Sequence, residues 1–206
     1  MLEHVPHWLG RALAGVRAGA DKLAIAQPEL APPAALTLTS PAFADGARLP
    51  ERFTADGAGV SPPLTWGAVP AGTASLALLV EDADAPAPQP LVHAVIWGIA
   101  ADAGRLAEGA IVADGPEPLD VGRNSFGREG WLPPDPPTGH GAHRYCFQLF
   151  ALGAGAADPG ASPGRSALVE AMRGHVVAAG LLTGTYGRGE EASIGLAVAA
   201  VPAAGG

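Results

Sequence analysis

The spacing of apolar positions changes character twice along the chain. From Val5 to Leu23, apolar residues recur at three- and four-residue steps (Val5, Leu9, Ala12, Leu13, Val16, Ala20, Leu23). That spacing predicts an amphipathic helix with Pro6 in its first turn. "AQPELAPPAA", Ala26 to Ala35, reads as a Pro-rich connector, so residues 1–35 are expected to form an appendage. From Leu36 onward strand and turn patterns alternate. "LTLTS" is a short alternating strand, and "ADGARLP" and "ADGAGVSPPLTW" are turns carrying Asp-Gly. The near-continuous apolar runs Leu76–Val80 and Val92–Ile99 predict strands buried on both faces. "HRYCFQLFAL", His143 to Leu152, alternates large apolar residues and predicts another strand. Ser166 to Leu181 has Leu168, Val169, Met172, Val176 and Ala179 at helical spacing, which predicts a late helix. Ser166 would be its N-cap, with Glu170 in the first turns and Gly180 near the end. "ASIGLAVAAV" predicts a closing strand, and no internal repeat is present.

Composition narrows this picture. The chain has 206 residues, 48% hydrophobic and 16% charged, enough for one globular domain with a sizeable core. With 29 Gly and 21 Pro, short strands and many turns are favoured over a helical bundle. A formal net charge of −8 argues against a nucleic-acid partner, because phosphate neutralisation needs a basic surface. The single Cys146 excludes an intrachain disulfide and a zinc ribbon. No apolar run has the length of a membrane span. The first 25 residues carry Glu3, Arg11, Arg17, Asp21 and Lys22 where a signal peptide needs an uninterrupted apolar stretch, so a cytoplasmic location is expected.

Three clusters could carry chemistry. In "LALLVEDADAP" an apolar strand runs directly into Glu81, Asp82 and Asp84; two residues apart on extended backbone, Asp82 and Asp84 would point the same way. Pro86 restricts the residue before it, so the strand leaves through a defined turn. His93 begins "HAVIWGI" after a short Pro-rich loop, close enough to return beside the two aspartates, where a carboxylate would keep its imidazole protonated. In "GWLPPDPPTGHGAHRY" a rigid Pro/Gly loop enters a strand with His140, His143, Arg144 and Tyr145 close together. His143 and Tyr145 share one face and Arg144 points the other way. Taken singly, each cluster is compatible with a solvated loop or a satisfied strand-edge histidine.

In their joint order these motifs resemble the phosphatidylethanolamine-binding protein family, and among its members the bacterial Raf-kinase-inhibitor-like group. The resemblance covers about residues 36 to 201 and includes "SPAF", "SPPLTW", "GRNSFGREGW" and "GTYGR". It implies a mainly β fold, a large antiparallel sheet packed on a smaller one, with a shallow anion pocket at one end. By the same resemblance Asp82, Ala85 and Pro86 would form one wall, with Asp84 at the same turn. His93 would lie across from them, Pro136 and Pro137 would form the rim, and His143 and Tyr145 the floor. The family usually has Pro between the two acids, where this chain has Ala83, and small or Cys residues where it has Asp135.

The expected function is therefore non-enzymatic binding of a small anion, phosphate or a phosphoethanolamine-like headgroup, without a cofactor. Regulation or inhibition of a kinase or protease is implied by some relatives. The alternative is a metal-dependent enzyme, since Asp82, Asp84, His93 and His143 offer two carboxylates and two imidazoles. A nucleophilic hydrolase has less support: the chain lacks G-x-S-x-G, and Cys146 alternates away from Tyr145. The apolar stripe of the N-terminal helix must be buried, either on its own domain or in a homodimer.

Overall fold

A computed structural model describes residues 7–115 and 119–188. The fold is mainly β. A five-stranded antiparallel sheet runs in the order β6 (Asp120–Val121), β4 (Leu91–Ala100), β3 (Thr73–Asp82), β7 (His143–Gly153), β8 (Val176–Tyr186). A three-stranded antiparallel sheet has the order β1 (Leu38–Thr39), β2 (Leu64–Trp66), β5 (Arg105–Leu106). Among the described residues there are two α-helices, α1 (His7–Leu13) and α2 (Arg165–Met172).

Both faces of the large sheet are covered, which is why its central strands read as continuous apolar runs. Leu76, Leu78 and Val80 of β3 pack with Phe147 and Leu149 of β7 and with Leu38, Leu64 and Trp66 of the small sheet. The alternate residues Ala77 and Leu79 pack with Phe150, with Leu168 and Met172 of α2, and with Ala24 and Leu30 of the N-terminal segment. Successive side chains of a strand point to opposite faces, so these two clusters are the two sides of one pleat. Each buried Leu or Phe contributes on the order of 1.5–3 kcal/mol relative to exposure.

Two elements differ from the sequence pattern. The helix expected over Ser166–Leu181 ends at Met172, and Val176–Tyr186 is strand β8. The apolar spacing of Val176 and Ala179 suits either state, and pairing along β7, from His143↔Tyr186 to Leu152↔Val176, decides it. Gly180 lies against the Leu36 carbonyl so closely that a Cβ there would clash with it. Ser166 is inside α2, and Gly164 occupies the N-cap without a side-chain bond. The expected closing strand "ASIGLAVAAV" lies outside the described residues.

At the N-terminus, helix is confined to His7–Leu13, and Val5 lies outside the described residues. Beyond it come short 3-10 turns at Ala20–Lys22, Ala24–Ala26 and Pro28–Leu30. Gly19, at φ 103°, breaks the helical path. The segment is fixed to the sheet by polar bonds. The amides of Ala18 and Gly19 donate to the carbonyls of Ala85 and Ala83, and that of Ala24 to the Glu81 carboxylate. Ala18, Leu23, Ala24 and Leu30 are buried in this chain's own core, while Trp8 and Val16 are exposed.

Candidate functional site

The register of three strands assembles the site. Asp82, the last residue of β3, pairs with Tyr145 on one side and Leu91 on the other. On β7, His143 and Tyr145 lie two apart and share the face of Phe147, towards the small sheet. His93 reaches that face through an irregularity. Val80 pairs with Ala94 and Glu81 with Val92, so His93 is an extra residue in the ladder. A bulge of this kind turns a side chain out of simple alternation. It puts His93 and Ala94 on the same side, with His93 edge-on to Tyr145 at 5.0 Å between ring centroids.

These side chains line a cavity of about 240 Å³. Asp82, His93, His143 and Tyr145 meet there with Ala85, Pro86, Pro136 and Pro137, and Phe126, Leu132, Pro133 and Asp135 complete much of the rim. Asp84 does not line it. β3 ends at Asp82, so the two-residue alternation that would align both acids stops there. The Asp84 carboxylate instead accepts two bonds from the Arg144 guanidinium, at 2.7 and 2.8 Å, one from the Arg144 amide, and pairs with Arg17 at 3.1 Å. Burial by itself would raise its pKa; the bonds from Arg144 and Arg17 outweigh burial and hold it at about 2.

His143 donates from Nδ1 to Asp82 Oδ2 at 2.7 Å, and its Nε2 is bonded to His140 Nδ1 at 2.7 Å, so both ring nitrogens are occupied. Asp82 Oδ1 accepts from the Asp84 amide at 2.8 Å. His93 Nδ1 lies 2.6 Å from the Leu132 carbonyl, which only accepts, so this nitrogen carries the hydrogen. The sequence suggested that a neighbouring carboxylate keeps His93 protonated. Complete burial outweighs Asp82 and pushes its pKa below the ordinary imidazole value, so at neutral pH His93 is uncharged and Nε2 presents a lone pair. Burial, with Asp82 and Asp135 nearby, pushes the Tyr145 phenol well above its usual range and keeps its hydrogen in place.

Among the described residues three buried side-chain polar atoms have no hydrogen-bond partner: His93 Nε2, Tyr145 Oη and Trp66 Nε1. Two of the three belong to this one cavity. Buried polar groups are nearly always paired, because leaving one unpaired costs about 1–3 kcal/mol. Here the pair is complementary, a hydroxyl that can donate beside an imidazole nitrogen that can accept.

Arg188, next to the Tyr186 end of β8, binds Asp135 at 2.6 Å, the Pro136 carbonyl at 2.8 Å and both oxygens of Asp56. Asp135 is thereby charge-compensated at the mouth. The four groups considered as metal ligands do not form a cage: Asp84 faces Arg144, His143 has no free nitrogen, and only His93 Nε2 is uncommitted on its ring. A larger cavity of about 560 Å³, beside the small sheet, has Arg105 as the one ionisable residue among the described residues that line it.

A family description, phosphatidylethanolamine-binding protein, matches residues 39–187. A UPF0098 protein of Methanothermobacter thermautotrophicus is 39% identical over 165 residues, covering 75% of this chain and 100% of that protein. A putative lipoprotein LppC of Mycobacterium tuberculosis is 47% identical over 117 residues, 57% of this chain and 55% of its own length. Among solved structures, Escherichia coli YbcL, described as a new member of the mammalian PEBP family, superposes with a TM-score of 0.68 at 32% identity. It covers 75% of this chain and 99% of YbcL. The Chlamydia trachomatis homologue CT736 gives 0.67 at 36% identity, covering 74% and 97%.

Proposed function

Because the chain belongs to the phosphatidylethanolamine-binding protein family, and because its cavity holds a matched pair of unpaired polar atoms, we propose that it binds a small oxyanion without catalysing its conversion. The ligand class is inorganic phosphate or a phosphomonoester headgroup such as phosphoethanolamine. The observation that carries this reading is that Tyr145 Oη and His93 Nε2, both buried and both without a hydrogen-bond partner in the chain, belong to residues lining the same cavity.

The chemistry of the pair selects a protonation state. Tyr145 donates to an ionised phosphate oxygen, and uncharged His93 accepts from a phosphate hydroxyl. The monoanion of a phosphomonoester has one of each. The dianion has no hydroxyl for His93 and adds a second charge beside Asp82. Since the second phosphate ionisation lies near pH ~6, affinity is expected to weaken as pH rises through that value. Asp82 is already paired with His143, and its role is to hold His143 in place and set the local charge. The apolar prolines and alanines around these groups exclude water, which strengthens each polar contact.

Calorimetric titration with inorganic phosphate and with O-phosphoethanolamine tests the reading. Binding by wild type that is weakened about tenfold or more in Tyr145→Phe supports it. Equal binding by both proteins would overturn it. The arm with the larger affinity separates free phosphate from a headgroup.

A further inference from the structure

His140 precedes β7 and is buried, and it is not among the residues that line the 240 Å³ cavity. Its Nε2 lies 2.8 Å from the carbonyl oxygen of Leu13 and 3.2 Å from that of Val16, both in the N-terminal segment. Carbonyls only accept, so His140 Nε2 carries a hydrogen and donates. The chain of bonds continues from His140 Nδ1 to His143 Nε2 and from His143 Nδ1 to Asp82 Oδ2.

These three links need three hydrogens. With Asp82 ionised, all three must sit on the four ring nitrogens, whereas two uncharged imidazoles carry only two. One ring is therefore an imidazolium. Asp82 lies against His143, while the Arg17 guanidinium bonds to the His140 and Ala142 carbonyls, so the positive charge is best placed on His143. Burial, then His143 and Arg17, also push His140 below the ordinary imidazole range.

We propose that the N-terminal segment, acting through His140, holds His143 as an imidazolium beside Asp82 and so keeps the cavity wall free of net negative charge. His140 is a positioning residue here, since its nitrogens face the N-terminal carbonyls and His143. The segment precedes residue 39, where the family match begins, and acts on the matched part of the chain through His140. The groups facing His143 are Asp82 from β3, His93 from β4, Tyr145 on its own strand and His140. His140 faces Arg17, which in turn shares Asp84 with Arg144. If the segment undocks, His140 Nε2 loses its acceptors. His140 can then carry its hydrogen on Nδ1 and donate to His143 Nε2, which leaves His143 uncharged and Asp82 uncompensated. By linkage, docking of the segment and binding of an anion strengthen each other. That consequence rests on the oxyanion reading; the placement of the proton does not.

Nitrogen-15 NMR of the full chain with labelled histidine at pH 7 tests the proposal. Both ring nitrogens of His143 are expected to be protonated, and His140 at Nε2 alone. His140→Leu, which removes the acceptor, should leave His143 with one protonated nitrogen. His140→Gln should restore both, because its amide oxygen accepts from His143 and its amide N–H reaches the carbonyls. Inorganic phosphate should bind His140→Leu about tenfold more weakly than wild type and His140→Gln nearly normally. Should His140→Leu fail to fold, Arg17→Ala loosens the segment without touching the cavity and should produce the same loss of a His143 proton. A wild-type His143 with a single protonated nitrogen, or no change in His143 in either variant, would overturn the proposal. Absence of phosphate binding by wild type would remove the oxyanion reading and leave the proton pattern to decide this one.

Discussion

Glu81 and Asp82 are consecutive residues on one strand, yet the regions they serve are built on opposite rules. On the helix-covered face Glu81 is fully buried, and everything around it is paired. Its carboxylate accepts from Arg165 at 2.6 Å, from Gln148 Nε2 at 2.8 Å and from the Ala24 amide at 2.8 Å. Gln148 in turn accepts from the Ile25 amide, and Arg165 donates to the Lys22 carbonyl. On the other face Asp82 and His143 are paired, but His93 and Tyr145 each keep an atom without a partner. A saturated polar network holds the N-terminal segment and α2 onto the sheet. The other network, equally buried, leaves His93 Nε2 and Tyr145 Oη without partners in the chain.

The largest expected effect falls on the saturated side. Glu81→Ala should destabilise the fold by about 3–5 kcal/mol in urea unfolding, because it strands Arg165, Gln148 and an amide without their acceptor. A loss under about 1 kcal/mol would erase the contrast between the faces. On the incomplete side, Tyr145→Phe should leave unfolding nearly unchanged, since it removes a hydroxyl that no other group of the chain bonds. It should cost phosphate binding about 1.5–3 kcal/mol, the worth of a hydrogen bond to a charged group. A variant equally weakened in both properties would make Tyr145 one more structural residue.

Acid sharpens the comparison through Asp84, which links the two regions. Its folded pKa of about 2 lies below the ordinary carboxylate value, so its stabilising contribution is fully present above about pH 4 and is lost as the pH falls through 2. With Arg144 half exposed, that contribution is on the order of 1–2 kcal/mol. Wild type should lose stability between pH 4 and pH 2 more steeply than Asp84→Asn. Identical pH profiles would contradict the assignment. The smallest effect belongs to the exposed Arg173–Glu29 pair, where Arg173→Ala should change stability by less than about 1 kcal/mol in the same unfolding assay.

Much of the frame was legible in the sequence because it depends on local alternation. β3, β4 and β7 follow from apolar runs, and the shared face of His143 and Tyr145 follows from the two-residue repeat of a strand. What escaped depends on tertiary register. His93 reaches the cavity through a bulge, and Asp84 leaves it because the strand ends two residues earlier. β8 carries helical spacing that only pairing with β7 overrides. The uncharged state of His93 was hidden too, because adjacency to a carboxylate can be guessed from order, while the depth of burial that outweighs it cannot. Arg17 carries no local mark, and only the folded chain brings it to Asp84 and brings Arg188, the end of "GTYGR", to Asp135.

The central claim is that the two unpaired atoms belong to a ligand, and a crystal soaked with O-phosphoethanolamine tests it most directly. A phosphate is expected in the 240 Å³ cavity with one oxygen within about 3 Å of Tyr145 Oη and another equally close to His93 Nε2. A phosphate seated elsewhere, or water bonded to both atoms at saturating ligand, would contradict it.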